Sequence, residues 1–167
     1  MSPLPVMSAP IPLRLFLDAG VVIDGCANAW GASKALLILA TRQSFFTIVL
    51  SDLIDREIRG ALTRKTMQLT AVGVRDHLSA YHGWLDRVRT ERVPAPTAET
   101  ILRYTPQVLP VLRHVNDLRA AICAIEAKPD WVLSTNTAHW GSALAARTGL
   151  RIAHPWDLLE YLCTSKS

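Results

Sequence analysis

The sequence lacks the long apolar runs of membrane proteins and the glycine patterns of nucleotide-binding loops. Its longest apolar stretches, residues 35–40 and 45–50, are far too short to cross a bilayer. Residues 1–12 contain four prolines and no basic residue, so no signal peptide is predicted. No glycine-rich phosphate loop or dinucleotide fingerprint occurs. We expect a cytoplasmic protein that binds no membrane.

Cysteine and histidine are too few and too scattered to predict a zinc site. The three cysteines are far apart and show no metal-ligand spacing. We expect them to be reduced and to pack as small apolar residues. The five histidines lack paired spacing, and His77 and His82 are five residues apart, which places them on different helix faces.

What remains is the composition of a globular domain with a weak positive charge. The chain has 167 residues, of which 50% are hydrophobic and 19% charged, which predicts one domain with a substantial core. The net charge is +4, mostly from arginine, whose planar fork suits phosphate. A solvated basic face accounts for these arginines equally well. We expect a disordered or extended arm over residues 1–12, one domain over 13–162 and a tail over 163–167.

Strands are predicted to alternate with helices along the domain. The predicted strands cover residues 13–17, 45–50, part of 92–96, 131–134 and 151–153. The predicted helices cover residues 34–42 with Ser33 as cap, a segment capped by Ser51, one or two helices within 66–88, then 97–104, 117–127, 137–147 and a last helix opened by Pro155. Residues 19–20 are predicted to turn the chain. This alternation predicts an α/β fold with a mostly parallel sheet and helices on both faces.

Four polar residues stand near the predicted carboxyl ends of strands or in helix turns beside them: Asp18, Glu57, Asp117 and Asn136. Ligands of open parallel sheets bind outside this edge. Carboxylate and amide oxygens suit Mg²⁺ or Mn²⁺, and a cation relieves the repulsion among carboxylates. Divalent cations in turn promote attack on phosphodiesters. The set therefore predicts a metal site for phosphodiester chemistry.

Each of these residues also has an ordinary structural interpretation. Asp18 and Asn136 can be turn or cap residues, Asp117 can stabilise a helix N-terminus, and Glu57 can be a solvated helical side chain. No single residue predicts the site, and the prediction rests on their order.

In that order, the motifs resemble the PIN-domain family of nucleases. The resemblance rests on five motifs in order. The first is an apolar strand that ends in Asp, the second is a strand followed by a Ser cap and a helical Glu, and the third is an Asp that begins an alanine-rich helix. The fourth is a strand followed by Ser-Thr-Asn and a His-Trp pair, and the fifth is a closing strand followed by a proline and a helix. These segments are residues 15–22, 49–58, 117–122, 133–140 and 149–159. The resemblance implies a three-layer α/β/α sandwich and metal-dependent cleavage of RNA. Many bacterial members are VapC-like toxins held by an antitoxin.

The resemblance also assigns roles to residues. Asp18, Glu57 and Asp117 would be carboxylate ligands of Mg²⁺ or Mn²⁺, with Asn136 in the place of a further acid and the Ser134 hydroxyl nearby. The implied partners are RNA, an antitoxin protein and a second copy of the chain.

Three side chains are substrate-binding candidates, namely Ser134, Arg56 and His139. Arg56 would hold the RNA strand, and His139 would position a phosphate, although surface packing is the alternative for His139. Trp140 is a weaker candidate for stacking on a base.

The chain departs from the family pattern at two positions. Gly20 stands where a polar Asn or Ser is frequent, so an orienting hydrogen bond would be missing. Asn136 stands where Asp is commoner, and an amide supplies an oxygen ligand without charge. These departures leave open an alternative function, a catalytically weakened module that binds RNA or a partner protein.

Overall fold

Among the residues that the structure describes, five parallel strands form the central sheet, in the order Thr90–Val93, Phe46–Ser51, Leu13–Leu17, Trp131–Leu133 and Ile152–Ala153. The structure is a computed structural model that describes residues 11–66 and 76–165. Every pairing of neighbouring strands is parallel. The strands are β1 (Leu13–Leu17), β2 (Phe46–Ser51), β3 (Thr90–Val93), β4 (Trp131–Leu133) and β5 (Ile152–Ala153). The predicted parallel sheet is thus confirmed.

Helices cover both faces of this sheet. They are α1 (Ala19–Ala27), α2 (Ala32–Ala40), α3 (Asp52–Thr66), α4 (His77–Leu85), α5 (Ala98–Val108), α6 (Val115–Ala127), α7 (Ser142–Thr148) and α8 (Pro155–Thr164). Helix α1 packs on α2, α3 and α4, and α8 packs on α2, while α5 packs on α6 and α7. The result is a three-layer α/β/α sandwich. In the described part of the chain, no helix combines the length and apolar character needed to span a membrane.

Strands β1 and β4 lie in the middle of the core. Leu15, Phe16 and Leu17 are at most 2% exposed, and Val132 and Leu133 are fully buried. Because helices cover both faces, β4 and the last three residues of β1 are apolar without alternation, while Arg14 near the start of β1 pairs with Glu91 at 2.7 Å. The carboxyl ends of β1 and β4 therefore emerge side by side from the buried core, with Leu17 opposite Leu133.

Local capping signals set several helix ends as predicted. The Ser51 hydroxyl accepts a hydrogen bond from Ile54 N at 3.1 Å and caps α3. Gly149 ends α7 with a φ of 73°, a left-handed conformation that favours glycine. Pro155 opens α8, where His154 and Asp157 form a capping box.

The predicted turn at residues 19–20 is wrong, because these residues begin helix α1. Asp18 is the N-cap of α1, and its Oδ1 accepts a hydrogen bond from Ala19 N at 2.9 Å. The apolar residues Val21 and Val22 are buried on the inner face of this helix. The predicted cap of α2 is also wrong: Gly31 caps the helix, and Ser33 is buried inside it.

Three other helix boundaries differ from the prediction. Helix α5 continues to Val108 past Pro106, and the carbonyls of this last turn accept hydrogen bonds from Arg147. Helix α6 begins one residue before Asn116, with His114 as its N-cap.

Helix α7 begins at Ser142 and not at residue 137 as predicted. The intervening residues form turns, in which Trp140 N donates to Asn136 O at 2.8 Å. A Cβ on Gly141 would lie 2.5 Å from Thr137 O, so this approach requires glycine.

Within the helical region predicted over 66–88, residues 67–75 lie outside the described residues, as do residues 1–10 of the predicted arm and 166–167 of the predicted tail.

Candidate functional site

Asp18 is fixed where β1 meets α1. Its backbone N donates to Leu133 O at 2.9 Å, which continues the β1–β4 pairing past the strand end. Its carboxylate accepts from Ala19 N through Oδ1 and from the Ser134 hydroxyl through Oδ2, each at 2.9 Å. Two donors on different elements therefore hold the carboxylate in one orientation.

Ser134 connects Asp18 to the loop that carries Asn136. Its side chain is fully buried, and its hydroxyl oxygen also accepts a hydrogen bond from Asn136 N at 3.0 Å. Such a hydroxyl–backbone bond across two residues stabilises a tight turn after the strand. Ser134, a predicted substrate contact, is thus placed where it holds Asp18 and shapes the loop.

Asn136, His139 and Asp117 form the next part of the site. Asn136 Nδ2 lies 3.3 Å from His139 Nδ1, and the same Nδ1 lies 3.6 Å from Asp117 Oδ2. The second distance permits an ion pair when the imidazole is protonated but is too long for a hydrogen bond. Asp117 stands in the first turn of α6, where the helix dipole favours negative charge.

The three carboxylates share one electrostatic environment. Burial raises the pKa of Asp18, against the hydrogen bonds from Ser134 and Ala19, and the charge of Asp117 raises it further. Partial burial also raises the pKa of Glu57, followed by repulsion from Asp18 and Asp117. Much of Glu57 is accessible to solvent, which screens this repulsion. The fold thus places the like charges of Asp18, Glu57 and Asp117 within electrostatic range of one another.

The donor chemistry of this cluster fits a hard divalent cation, because all three side chains offer carboxylate oxygens. A cation would also relieve the repulsion that raises the pKa values of Asp18 and Glu57. Within the described residues, however, no three His, Cys, Asp or Glu side chains stand together as a ready-made metal-ligand group. The carboxylates of Asp18, Glu57 and Asp117 therefore influence one another electrostatically, but they are not arranged as a complete set of metal ligands.

Two other predicted candidates occupy different environments. Arg56 is exposed on α3 next to Glu57, and among the described residues it forms no ion pair. Trp140 is only 1% exposed and belongs to the core, so its ring is not available to a base.

Sequence reasoning missed a second charged centre, around Asp55. This side chain is buried, and it accepts hydrogen bonds from Tyr81 Oη at 2.6 Å, Arg59 Nε at 3.1 Å and Arg92 at 3.2 Å. Burial alone would raise the pKa of Asp55, but these donors outweigh it and lower the pKa. With its charge fully paired, Asp55 joins α3, α4 and β3 and is not a free ligand. Only the four-residue spacing from Asp55 to Arg59 was visible as a sequence signal.

No protein-family model matches the sequence, and no curated protein matches it either. Solved structures do resemble the fold. VapBC2 from Rickettsia felis, bound to a DNA fragment from its promoter, aligns with a TM-score of 0.60 at 15% identity over 85% of this chain and 98% of that chain. PAE2754 from Pyrobaculum aerophilum aligns with a TM-score of 0.59 at 14% identity over 91% and 96% of the two chains. DNA-bound VapBC from Salmonella typhimurium aligns with a TM-score of 0.55 at 18% identity over 86% and 98%.

At such low identities, the structural alignments establish a shared fold and not a shared activity. The five-stranded parallel sheet with helices on both faces is common to this chain and to the VapC-type structures. The chain therefore has a PIN-like fold.

Proposed function

We propose that this protein is a metal-dependent endoribonuclease of the PIN-domain type, and that it is the toxin of a toxin–antitoxin pair. One observation carries the proposal. Asp18 is held by Ser134 at the carboxyl edge of a PIN-like sheet, in the same electrostatic environment as Glu57 and Asp117. Carboxylates that burial and one another's charge perturb in this way are typical of a cation site.

In this proposal the cation is Mg²⁺ or Mn²⁺, held by Asp18, Glu57 and Asp117 with the Asn136 amide as a neutral oxygen ligand. When bound, the cation would neutralise phosphate charge and activate water for attack on phosphorus. Ser134 and Ala19 preorganise Asp18, so little reordering is needed when RNA arrives.

Two side chains beside the carboxylates are proposed to bind the RNA. His139 lies between Asn136 and Asp117, where its imidazole can face a phosphate. Arg56 is exposed beside Glu57 and is free of ion pairs within the described residues, so it is available to the RNA backbone.

The proposed protein partner is an antitoxin. Two of the similar structures are VapBC complexes bound to DNA, and the fold match covers 98% of each matched chain. A second copy of this chain is proposed as a further partner on the same likeness.

The test is cleavage of a 5′-labelled single-stranded RNA with Mn²⁺, with EDTA and after Asp18→Asn. We expect cleavage with Mn²⁺, none with EDTA, and a loss of at least about a hundredfold for Asp18→Asn. Glu99→Gln is the matched control, because Glu99 is an exposed carboxylate whose ion-pair partner is Arg103 on the same helix. Cleavage that survives both EDTA and Asp18→Asn contradicts the proposal.

A second function, binding of RNA or a partner without turnover, has specific observations in its favour. Asn136 contributes no charge, and the described His, Cys, Asp and Glu side chains form no ready-made ligand set. RNA that is retarded in a gel equally with EDTA and with Mn²⁺, and is never cleaved, would establish this function. Cleavage that requires Mn²⁺ would exclude it.

A further inference from the structure

Thr135 presents a hydroxyl group close to Gly20, and this hydroxyl has no hydrogen-bond partner among the described residues. A Cβ added to Gly20, two residues after Asp18, would lie 3.3 Å from Thr135 Oγ1. The side chain of Thr135 is exposed, and it projects from the loop that follows β4. The hydroxyl thus lies in the space that a side chain at position 20 would otherwise enter.

The backbone on both sides of Thr135 is fixed by the site itself. Ser134 donates to Asp18 Oδ2 at 2.9 Å and accepts from Asn136 N at 3.0 Å. Thr135 stands between these anchors, and its β-branched side chain is stiff at χ1. Its hydroxyl is therefore preorganised at little further cost in conformational entropy.

The neighbouring groups define what this hydroxyl can bind. The carboxylates of Asp18, Glu57 and Asp117 are acceptors when ionised, and the amide nitrogen of Asn136 faces His139. A phosphodiester brings acceptor oxygens and negative charge, so it requires donors at this edge. The Thr135 hydroxyl is the free donor on the loop between Ser134 and Asn136.

We propose that the Thr135 hydroxyl donates a hydrogen bond to a non-bridging oxygen of the scissile phosphodiester, and that Gly20 leaves room for this contact. The assignment rests on the proposed nuclease function. It also gives a physical account of Gly20, because a hydroxyl from the loop after β4 would take the place of a polar side chain on α1.

The first test compares Thr135→Val with Thr135→Ser. Valine keeps the shape and removes the donor, and we expect kcat/KM for single-stranded RNA to fall by roughly ten- to a hundredfold. Serine keeps the donor and is expected to stay within about threefold of the wild type. Both variants should unfold at the wild-type temperature, because the Thr135 side chain is exposed.

The second test moves the hydroxyl to the facing helix. Thr135→Ala removes the donor and vacates the space next to position 20. The double variant Thr135→Ala with Gly20→Ser should therefore have a kcat/KM at least about tenfold higher than Thr135→Ala alone. Gly20→Ala with Thr135→Ala is the matched control, since it adds the same Cβ without a hydroxyl and should restore nothing.

The outcomes separate this inference from the function on which it rests. Full activity of Thr135→Val, while the wild type cleaves RNA, overturns the role of Thr135 and leaves the nuclease proposal standing. A loss of activity that Thr135→Ser shares, or that follows a lowered unfolding temperature, also overturns it. A wild-type protein that cleaves no RNA with Mn²⁺ overturns both proposals.

Discussion

Ser134→Ala perturbs the contact that joins the two central strand ends. The substitution removes a hydroxyl that donates to Asp18 Oδ2 and accepts from Asn136 N. Because Ser134 is fully buried, water cannot simply replace the lost partner. The change should affect both the stability of the fold and the chemistry of Asp18.

The magnitude follows from the two bonds. A hydrogen bond to an ionised carboxylate contributes about 1.5–3 kcal/mol, and one to a backbone amide about 0.5–1.5 kcal/mol. Ser134→Ala should therefore lower the free energy of unfolding by about 2–4.5 kcal/mol. For a domain of this size, the Tm should fall by roughly 5–15 °C. The pKa of Asp18 should rise further, because the Ser134 bond opposes the effect of burial.

The assay is urea unfolding in EDTA, followed by calorimetric titration with Mn²⁺ at pH 6 and pH 8. Ser51→Ala is the matched control, since Ser51 is an equally buried serine at the end of β2 that caps α3. It should cost about 1 kcal/mol and leave Mn²⁺ affinity unchanged. Ser134→Ala should weaken Mn²⁺ binding, and more at pH 6, because protons compete better for a carboxylate of higher pKa.

The reasoning is refuted if Ser134→Ala is no more destabilising than Ser51→Ala and binds Mn²⁺ as the wild type does. That result would mean that Asp18 does not need the hydrogen bond from the Ser134 hydroxyl, which follows β4.

Two further predictions concern the other charged groups. Tyr81→Phe removes the 2.6 Å hydrogen bond to buried Asp55 and should lower the free energy of unfolding by about 1.5–3 kcal/mol in urea. Tyr104→Phe is its control and should change little, since Tyr104 is only partly buried; equal effects would contradict the role of Asp55. Folding raises the pKa of Glu57. The stability that Glu57 contributes is therefore complete below its unfolded pKa of about 4.3, and it is lost as the pH rises through its higher pKa in the folded protein. Glu57→Gln should therefore flatten the fall in stability above about pH 4 in EDTA, and an unchanged pH profile would count against the carboxylate cluster.

Much of the fold was predictable because the decisive signals are local. Short apolar segments, residues 15–17 and 131–133, marked β1 and β4 as strands buried on both faces, and Ser51, Gly149 and Pro155 marked helix ends. The start of α1 was missed because Asp18 both ends a strand and caps a helix, and the residues after it were interpreted as a turn. The start of α7 was missed because it depends on the close approach of Gly141 to Thr137 O.

The site divides in the same way. That Asp18 and Asp117 lie near the carboxyl edge of the sheet could be predicted from their positions after a strand and in the first turn of a helix, whereas their role as metal ligands stays a prediction. The Asp55 centre was not, because Tyr81 and Arg92 lie 26 and 37 residues away in the sequence. The contact of Thr135 with the space beside Gly20 likewise exists only after β1 and β4 have paired.

Calorimetric titration of the wild-type protein with Mn²⁺ at neutral pH, beside Asp18→Asn and Glu99→Gln, tests the central claim most directly. We expect saturable binding by the wild type and by Glu99→Gln, and at least about tenfold weaker binding by Asp18→Asn. Absence of Mn²⁺ binding by the wild type, or equal binding by all three proteins, would contradict the claim that the Asp18, Glu57 and Asp117 carboxylates form a cation site.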